Sequence, residues 1–345
     1  MKILMIGLGS IGQRHLRNIK RVLGEEAEIL AYRVRGLQRT FSDTMQIRDK
    51  VSLEEEYHIR SFTNLEEALL ESPELAFITN PTNLHIPCAI QCAKAGCHLF
   101  LEKPLSDSLD GIDELKKTAQ DMGIKIFVGY QNRFHPAIRM VKEVLEEGSL
   151  GKILSVHSVV GERLTTMHTY EDYKETYMAR KDMGGGVVTN QLVHEMDYLY
   201  YLFGKPVSVY ALGGTIGNLG IDVEDNCDAL FLMQNGTERI CVNVHADFYQ
   251  SPPSRFVKVV GEKGQIEADL INATVTKTVS DVTEHTAFAE FARNDMFIEE
   301  LKLFLSCVKE GGKEAITLAD GIVSLKMAMA IKESMQTGGV VNVNF

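Results

Sequence analysis

The sequence predicts an α/β protein in two parts. Residues 1–125 read as a doubly wound parallel-sheet domain, and residues 126–345 as an α+β domain on a large open, mostly antiparallel sheet. Three observations carry this prediction. Short apolar runs alternate with helix-period stretches through the first third of the chain. A glycine-rich turn follows the first apolar run and opens a helix. Beyond residue 125 the apolar runs lengthen and are divided by glycine turns, the pattern of hairpins.

Lys2–Ile6 is the first expected strand, and Ile11, Leu16, Ile19 and Leu23 then recur at helical spacing. Glu28–Tyr32 and Ile59–Phe62 are the next strands, around a charged, irregular stretch Phe41–Tyr57. Thr63-Asn64-Leu65-Glu66 reads as a capping box with Thr63 as the cap. Leu75–Thr79, Leu99–Leu101 and Ile124–Val128 complete the parallel set, with helices near 83–95 and 108–121. In the second part a helix is expected over 136–147, a strand over Ile153–Val160, and a tyrosine-rich loop to Asp182. A helix over 187–203 stops at Gly204 with Pro206 beyond. Val207–Leu212, Asp228–Met233, Arg239–Phe248, Phe256–Val260 and Gln265–Asp269 read as sheet strands, followed by helices over 295–309 and 317–335.

Composition narrows the function classes. The chain has 345 residues, 45% of them hydrophobic, enough for sizeable cores. The charge balance of 36 basic against 47 acidic residues gives −11, and no basic block stands out, so nucleic acid is not an expected partner. No apolar stretch is long enough to span a membrane. The six cysteines form no disulfide or zinc pattern; Cys88, Cys92 and Cys97 read as buried thiols. The opening MKILMIGLGSIG is glycine-punctuated and reads as a strand of a cytoplasmic protein, not as a leader.

The strongest motif is Gly7-Leu8-Gly9-Ser10-Ile11-Gly12. In a strand–turn–helix context it is the fingerprint of a dinucleotide-binding Rossmann domain. Gly7 permits the tight turn, Gly9 lets the backbone approach a pyrophosphate, and Gly12 lets the helix pack on the strand. The N–H groups around Ser10 and Ile11 then face the phosphates. The end of the second strand reads Ala31-Tyr32-Arg33-Val34-Arg35, without the carboxylate that would bind an NAD ribose. Arg33 and Arg35 therefore point to NADP(H) as the preferred cofactor, with NAD(H) as the other possibility.

A third signal is Phe100-Leu101-Glu102-Lys103-Pro104, directly after a strand. With the fingerprint it resembles the Gfo/Idh/MocA family of oxidoreductases. Asn80-Pro81-Thr82-Asn83-Leu84-His85 is similar to that family's cofactor loop. Val128-Gly129-Tyr130-Gln131-Asn132-Arg133-Phe134 is similar to its interdomain segment, and Gly184-Gly185-Gly186 followed by His194 to its glycine-opened catalytic helix. The resemblance implies that Lys103 and His194 are catalytic. It places Asn80, Pro81, Thr82, His85, Glu102, Lys103, Asn132 and Arg133 beside the cofactor, and Lys103, Arg133, Asn190 and His194 beside the substrate.

Physical chemistry supports parts of this independently. Lys103 follows a parallel strand's carboxyl end, where ligands collect. A lysine near a cationic ring in a dry pocket is expected to have a lowered pKa and to relay a proton. Asn190, His194 and Asp197 fall on one face of a regular helix. Many members of the family carry Asp where this chain has Asn190, and an amide cannot act as a base. In the loop Arg163–Lys181, Tyr170, Tyr173 and Tyr177 offer faces for sugar rings and Arg180 a partner for an anion. The expected activity is metal-independent hydride transfer at a carbinol or carbonyl carbon of a sugar, amino sugar, sugar acid or nucleotide sugar. Reduction of a cyclic imine, oxidation of a diol, a zinc-dependent dehydrogenase and a non-catalytic NADP sensor are the alternatives. A sparsely charged outer sheet face suggests a homodimer or homotetramer.

Overall fold

A computed structural model describes residues 1–36, 39–42, 47–49, 52–167 and 171–345. The chain packs as two units, residues 1–130 with 293–321, and residues 131–292 with 322–345. The first unit thus runs to Tyr130, past the expected boundary at 125, and takes back a segment from near the C-terminus.

In the first unit, β1 (Lys2–Ile6), β2 (Glu28–Tyr32), the short pair β3 (Arg39–Phe41) and β4 (Ile47–Asp49), β5 (Arg60–Phe62), β6 (Leu75–Ile78), β7 (His98–Glu102) and β8 (Ile126–Gly129) alternate with helices. The helices are α1 (Ser10–Leu23), α2 (Leu53–Tyr57), α3 (Leu65–Leu70), α4 (His85–Lys94) and α5 (Ile112–Met122). The main sheet has the order β5-β2-β1-β6-β7-β8, parallel throughout. Ile3–Ile6 and Leu75–Ile78 have no exposed surface. This fits strands covered on both faces, for which continuous apolar runs are the natural sequence. The order reverses between β1 and β6, and in such sheets ligands bind outside the strands' carboxyl ends at that point. The expected cap at Thr63 is replaced by Asn64, whose side-chain oxygen accepts the Glu66 and Glu67 N–H groups at 2.8 and 3.4 Å.

The second unit opens with α6 (Pro136–Glu147), whose bounds agree with the expected ones. β9 (Ile153–Gly161), α7 (Leu164–Met167) and α8 (Val193–Phe203) follow, then β10 (Lys205–Gly214), β11 (Asn226–Asn235), β12 (Glu238–Asp247), β13 (Ser254–Gly261), β14 (Gly264–Asp269), β15 (Thr274–Val279) and β16 (Val282–Ala287). The hairpin β15–β16 was not expected. Its sequence, TVTKTV and VTEHTA, is polar, and β16 is mostly exposed, so no apolar alternation announced it. The expected helix 187–203 is also not uniform: Val188–Leu192 forms a π turn, and regular α-helix begins at Val193.

The chain then returns through α9 (Arg293–Glu310) and α10 (Leu318–Thr337) and ends with the short strand β17 (Val341–Asn342). The second sheet has nine strands in the order β16-β15-β14-β13-β9-β12-β11-β10-β17, with β9–β12 its parallel pair. In the first unit α9 lays Phe304 edge-on against Phe77 and Phe100, each 5.7 Å away between centroids. Phe77, Phe100 and Phe127 stack across β6, β7 and β8 at 5.0 and 5.5 Å. These rings are fully buried and form one apolar wall. No helix among the described residues is long and apolar enough to cross a membrane.

Candidate active site

The glycine turn sits at the carboxyl end of β1. Gly7 has φ +88°, a conformation that L side chains rarely adopt, and a Cβ there would lie 3.0 Å from Asn80 Cα. A Cβ on Gly12 would lie 2.5 Å from the Gly7 carbonyl oxygen and 2.6 Å from Thr79 Oγ1. Thr79 in turn donates its hydroxyl to the Gly7 carbonyl at 2.7 Å. A Cβ on Gly9 would meet nothing within 4 Å. The space above Gly9 is therefore an open cradle at the N-terminus of α1, whose first turn, around Ser10 and Ile11, holds no acidic residue. Free N–H groups and the helix dipole suit that cradle to a pyrophosphate, so the residues fit a dinucleotide.

Two further loops lie at the same carboxyl end of the sheet. After β6, Asn80 and Pro81 precede a single turn at Thr82–Leu84, with Thr82 buried. Asn80 Oδ1 is buried and has no hydrogen-bond partner. After β7, Lys103 is half-buried beside a cis Lys103–Pro104 bond. His85 links these loops: its ring nitrogens face the Pro104 carbonyl oxygen at 2.9 Å and the Asn80 carbonyl oxygen at 2.8 Å. Burial holds this imidazole below its usual pKa. Expected beside the cofactor, His85 has both nitrogens occupied by backbone. It fixes the two loops to each other.

Glu102, expected beside the cofactor, is buried at the end of β7. Its Oε1 accepts from His15 Nε2 at 2.6 Å, and its Oε2 accepts the Lys103 backbone N–H at 3.1 Å. Arg33 is also differently placed. It is buried at the end of β2 and paired with the Glu54 carboxylate. Burial would raise the Glu54 carboxyl, but the Ser61 hydroxyl, its own backbone N–H and Arg33 together pull it down to about 2. The guanidinium offered for a 2′-phosphate is thus already held by a carboxylate. Arg35 is exposed.

The second unit gathers the other candidates around α8. Gly184 and Gly186 have φ values of +77° and +110°. A Cβ on Gly185 would press within 2.5–2.7 Å of the Tyr177, Met178 and Arg180 carbonyl oxygens. The triplet therefore lets the loop that precedes it lie against the helix entrance. Glu224 caps that entrance: its backbone carbonyl accepts the Val187 N–H at 2.9 Å and its carboxylate the Val188 N–H at 3.3 Å.

The polar residues of α8 and the π turn are buried, His194 and Asn190 among them. Asp197 receives a two-bond grip from Arg133 Nε and Nη2 at 2.9 and 2.6 Å. Arg133, expected to touch cofactor and substrate, thereby ties the short turn Gln131–Phe134 to α8. Its guanidinium also lies 5.0 Å from the Tyr201 ring centroid. Glu195 is held in the same way by Arg255 at 2.7 and 3.1 Å, and Tyr198 shares a 2.7 Å hydrogen bond with Ser158. Ion pairs to Asp197 and Glu195 thus fix the orientation of α8, the helix that carries His194.

Tyr177 is 38% exposed, whereas the Tyr173 hydroxyl is committed to the Leu219 carbonyl. Tyr170 lies outside the described residues. Arg180, read as an anion partner, is engaged by Asp182 and Glu175. Sequence reasoning missed Gln191. Its side chain is buried in the π turn, and neither amide atom has a hydrogen-bond partner. Asn132 Nδ2 is in the same state. Unsatisfied buried amides are rare and call for an explanation, and a polar ligand supplies one. The π turn itself was the missing signal, since such turns recur at functional sites but leave no mark in residue periodicity.

A switch-point cradle, a lysine turn at the same carboxyl end of the sheet and a glycine-opened histidine helix on a separate open-sheet unit define an NAD-binding oxidoreductase. The comparisons name the family. Residues 1–130 match the oxidoreductase family with an NAD-binding Rossmann fold, and residues 138–267 match the GFO/IDH/MocA C-terminal domain. The chain belongs to the Gfo/Idh/MocA family. The myo-inositol 2-dehydrogenase of Thermotoga maritima is 27% identical over 351 residues, covering 97% of this chain and 96% of that one. The WlbA dehydrogenase of Bordetella pertussis, solved with NADH and UDP-GlcNAcA, has a TM-score of 0.81 at 22% identity and covers 100% of this chain and 99% of that one. A levoglucosan dehydrogenase solved with NADH has a TM-score of 0.83 at 19% identity, with 100% and 99% covered.

Proposed function

We propose that this chain is a dehydrogenase or reductase of a polyhydroxylated substrate, a sugar or sugar derivative, with Lys103 and His194 as its proton-handling residues. The observation that carries the reading is the open cradle over Gly9 at the carboxyl end of the sheet that also bears the Lys103 turn. Gly7, Gly9, Ser10, Ile11 and Gly12 would hold the pyrophosphate, with Asn80, Pro81 and Thr82 bordering it. When bound, the nicotinamide supplies or accepts the hydride.

The chain's own residues handle the proton. The Lys103 Nζ exchanges it with the substrate oxygen, and the His194 ring serves as the second acid or base. Asn190 and Gln191 bind hydroxyls and set orientation. The Gln191 amide offers both a donor and an acceptor, which suits a carbon chain bearing several hydroxyls. With Arg180 engaged by carboxylates, a neutral substrate is favoured over an anionic one.

The cofactor choice within this reading turns on Arg33. The sequence favoured NADP(H), but the Arg33–Glu54 pair supports NAD(H), because a 2′-phosphate would have to displace a carboxylate. Two further proposals concern the chain's setting. The outer sheet face places Tyr210 opposite Leu230 and exposes Leu212, which supports self-association; light scattering in solution tests it. Six free cysteines, five of them buried, suit a reducing, cytoplasmic setting.

The deciding experiment follows near-ultraviolet absorbance with NAD⁺ and NADP⁺ across polyols, free sugars, sugar acids and nucleotide sugars. Turnover is expected with a neutral polyol or sugar. Lys103→Met is expected to lower kcat about 10²–10⁴-fold while leaving NADH binding within a few-fold. Tight NADH binding with no turnover on any compound would replace the enzyme reading with that of a cofactor sensor.

A further inference from the structure

The proposed mechanism leaves one buried group unused. Glu300, on α9, has no exposed surface, and neither carboxylate oxygen has a hydrogen-bond partner. It points at His15 on α1 and Glu102 on β7: one ligand-type atom from each of the three residues lies within 4.8 Å of the others. His15 is also fully buried, with its ring 4.8 Å from Phe100 and 5.8 Å from Phe77 between centroids. Two carboxylates therefore share an aromatic pocket behind the turn that carries Lys103.

Three arrangements of charge are conceivable, and geometry separates them. Two ionised carboxylates in this pocket would repel each other where no water screens them. A metal ion would neutralise them, but two tetrahedral ligands at metal–ligand distances of 2.0–2.2 Å sit about 3.3 Å apart. His15 Nε2 and Glu102 Oε1 are 2.6 Å apart, a short hydrogen bond. The third arrangement is a proton on one carboxylate. Glu102 is fixed as the anion by its bonds: burial opposes its charge, but the His15 and Lys103 contacts hold it below the usual carboxylate range. Glu300 has no such bonds, and burial with the neighbouring Glu102 charge pushes it well above that range. The other charged groups nearby are Lys103, which acts on Glu102, and Arg14 of α1, which is engaged with Asn294 and lies over Phe297.

We propose that Glu300 is held as a neutral carboxylic acid and is a positioning residue for Lys103, because its proton lets Glu102 keep one oxygen on His15 and the other on the Lys103 backbone N–H. Ionisation of Glu300 would set a second negative charge against Glu102 and loosen that grip, so the proton on Glu300 couples the pH of the medium to the Lys103 turn. The catalytic importance of the turn rests on the function proposed above. The proton on Glu300 does not, and its test needs no substrate.

Infrared absorption of the whole chain at neutral pH should show the carbonyl stretch of a protonated carboxyl group, lost in Glu300→Gln. Exchange of the Lys103 amide hydrogen, followed by NMR on lysine-labelled protein and corrected for intrinsic rate, should lose about tenfold or more of its protection as pH rises through the ionisation of Glu300. In Glu300→Gln, whose amide stays neutral, that protection should be independent of pH. A carboxyl with a raised folded-state pKa contributes stability below its unfolded value and loses it as pH rises. Glu300→Gln should therefore gain melting temperature over the unaltered chain by more near about pH 8 than near about pH 5. Glu300→Met provides the same comparison if the glutamine variant does not fold. Absence of the infrared band, or Lys103 protection that ignores pH in the unaltered chain, would overturn the proposal. So would a stoichiometric divalent metal that survives dialysis and is lost on substitution of Glu300.

Discussion

At Arg33 the same residue type supports opposite cofactor readings, and its partner decides between them. A free guanidinium after β2 would suit a 2′-phosphate; one already held by Glu54 competes with it. Glu54→Gln should therefore raise affinity for NADPH relative to NADH by roughly tenfold, the scale of one charge-assisted hydrogen bond. Fluorescence titration of both cofactors against both proteins checks this, and an unchanged ratio would detach Arg33 from cofactor choice. The Glu54 carboxyl titrates at about 2 in the folded chain, below its ordinary value. The pair's contribution to stability is accordingly present above the unfolded carboxyl pKa and fades only as pH falls toward about 2. Cofactor preference should not drift across the neutral range for this reason.

At the scale of elements, the entrance to α8 depends on close packing that side chains would prevent. Gly185 lies where a Cβ would press on three carbonyl oxygens, and backbone cannot yield as a flexible side chain can. Gly185→Ala should displace the Tyr177–Arg180 segment. We expect a rise in KM of about tenfold or more, and a melting temperature lower by several degrees, since strained backbone costs about 1–3 kcal/mol. Steady-state kinetics and calorimetry check this; wild-type behaviour in both would show that the loop tolerates the added carbon. The glycine triplet and His194 were legible as a motif. The π turn at Val188–Leu192 was not, because it is a matter of hydrogen-bond register and not of residue type. A regular helix aligned Asn190 with His194 and hid Gln191, whose buried side-chain amide has no hydrogen-bond partner at either atom.

At the scale of the molecule, the chain leaves the first unit at Tyr130 and returns to it at Arg293. The return covers the phenylalanine wall with Phe304 and brings Glu300 to the pocket of His15 and Glu102. Residues 1–130 produced alone should therefore expose Phe77, Phe100 and Phe127, bind hydrophobic dyes and aggregate. A chain joining 1–130 to 293–321 through a flexible linker should be monomeric and melt cooperatively. Equal stability of the two would show that α9 is dispensable for this unit. The apolar periodicity of 295–309 announced a helix but not the unit to which it belongs.

The sequence by itself determined the local features: the parallel strands as buried apolar runs, the glycine turn as a dinucleotide cradle, the helix stops at Gly148 and Gly204, and the order of motifs that places the chain in its family. These depend on neighbours in sequence, where periodicity and backbone freedom act directly. The tertiary structure decided which charges are paired. Arg33 with Glu54, Arg133 with Asp197, Arg255 with Glu195 and His15 with Glu102 are joined across loops and sheets. A charged side chain's role depends on the nearest opposite charge and on the water excluded around it. Both are set by packing between segments distant in sequence.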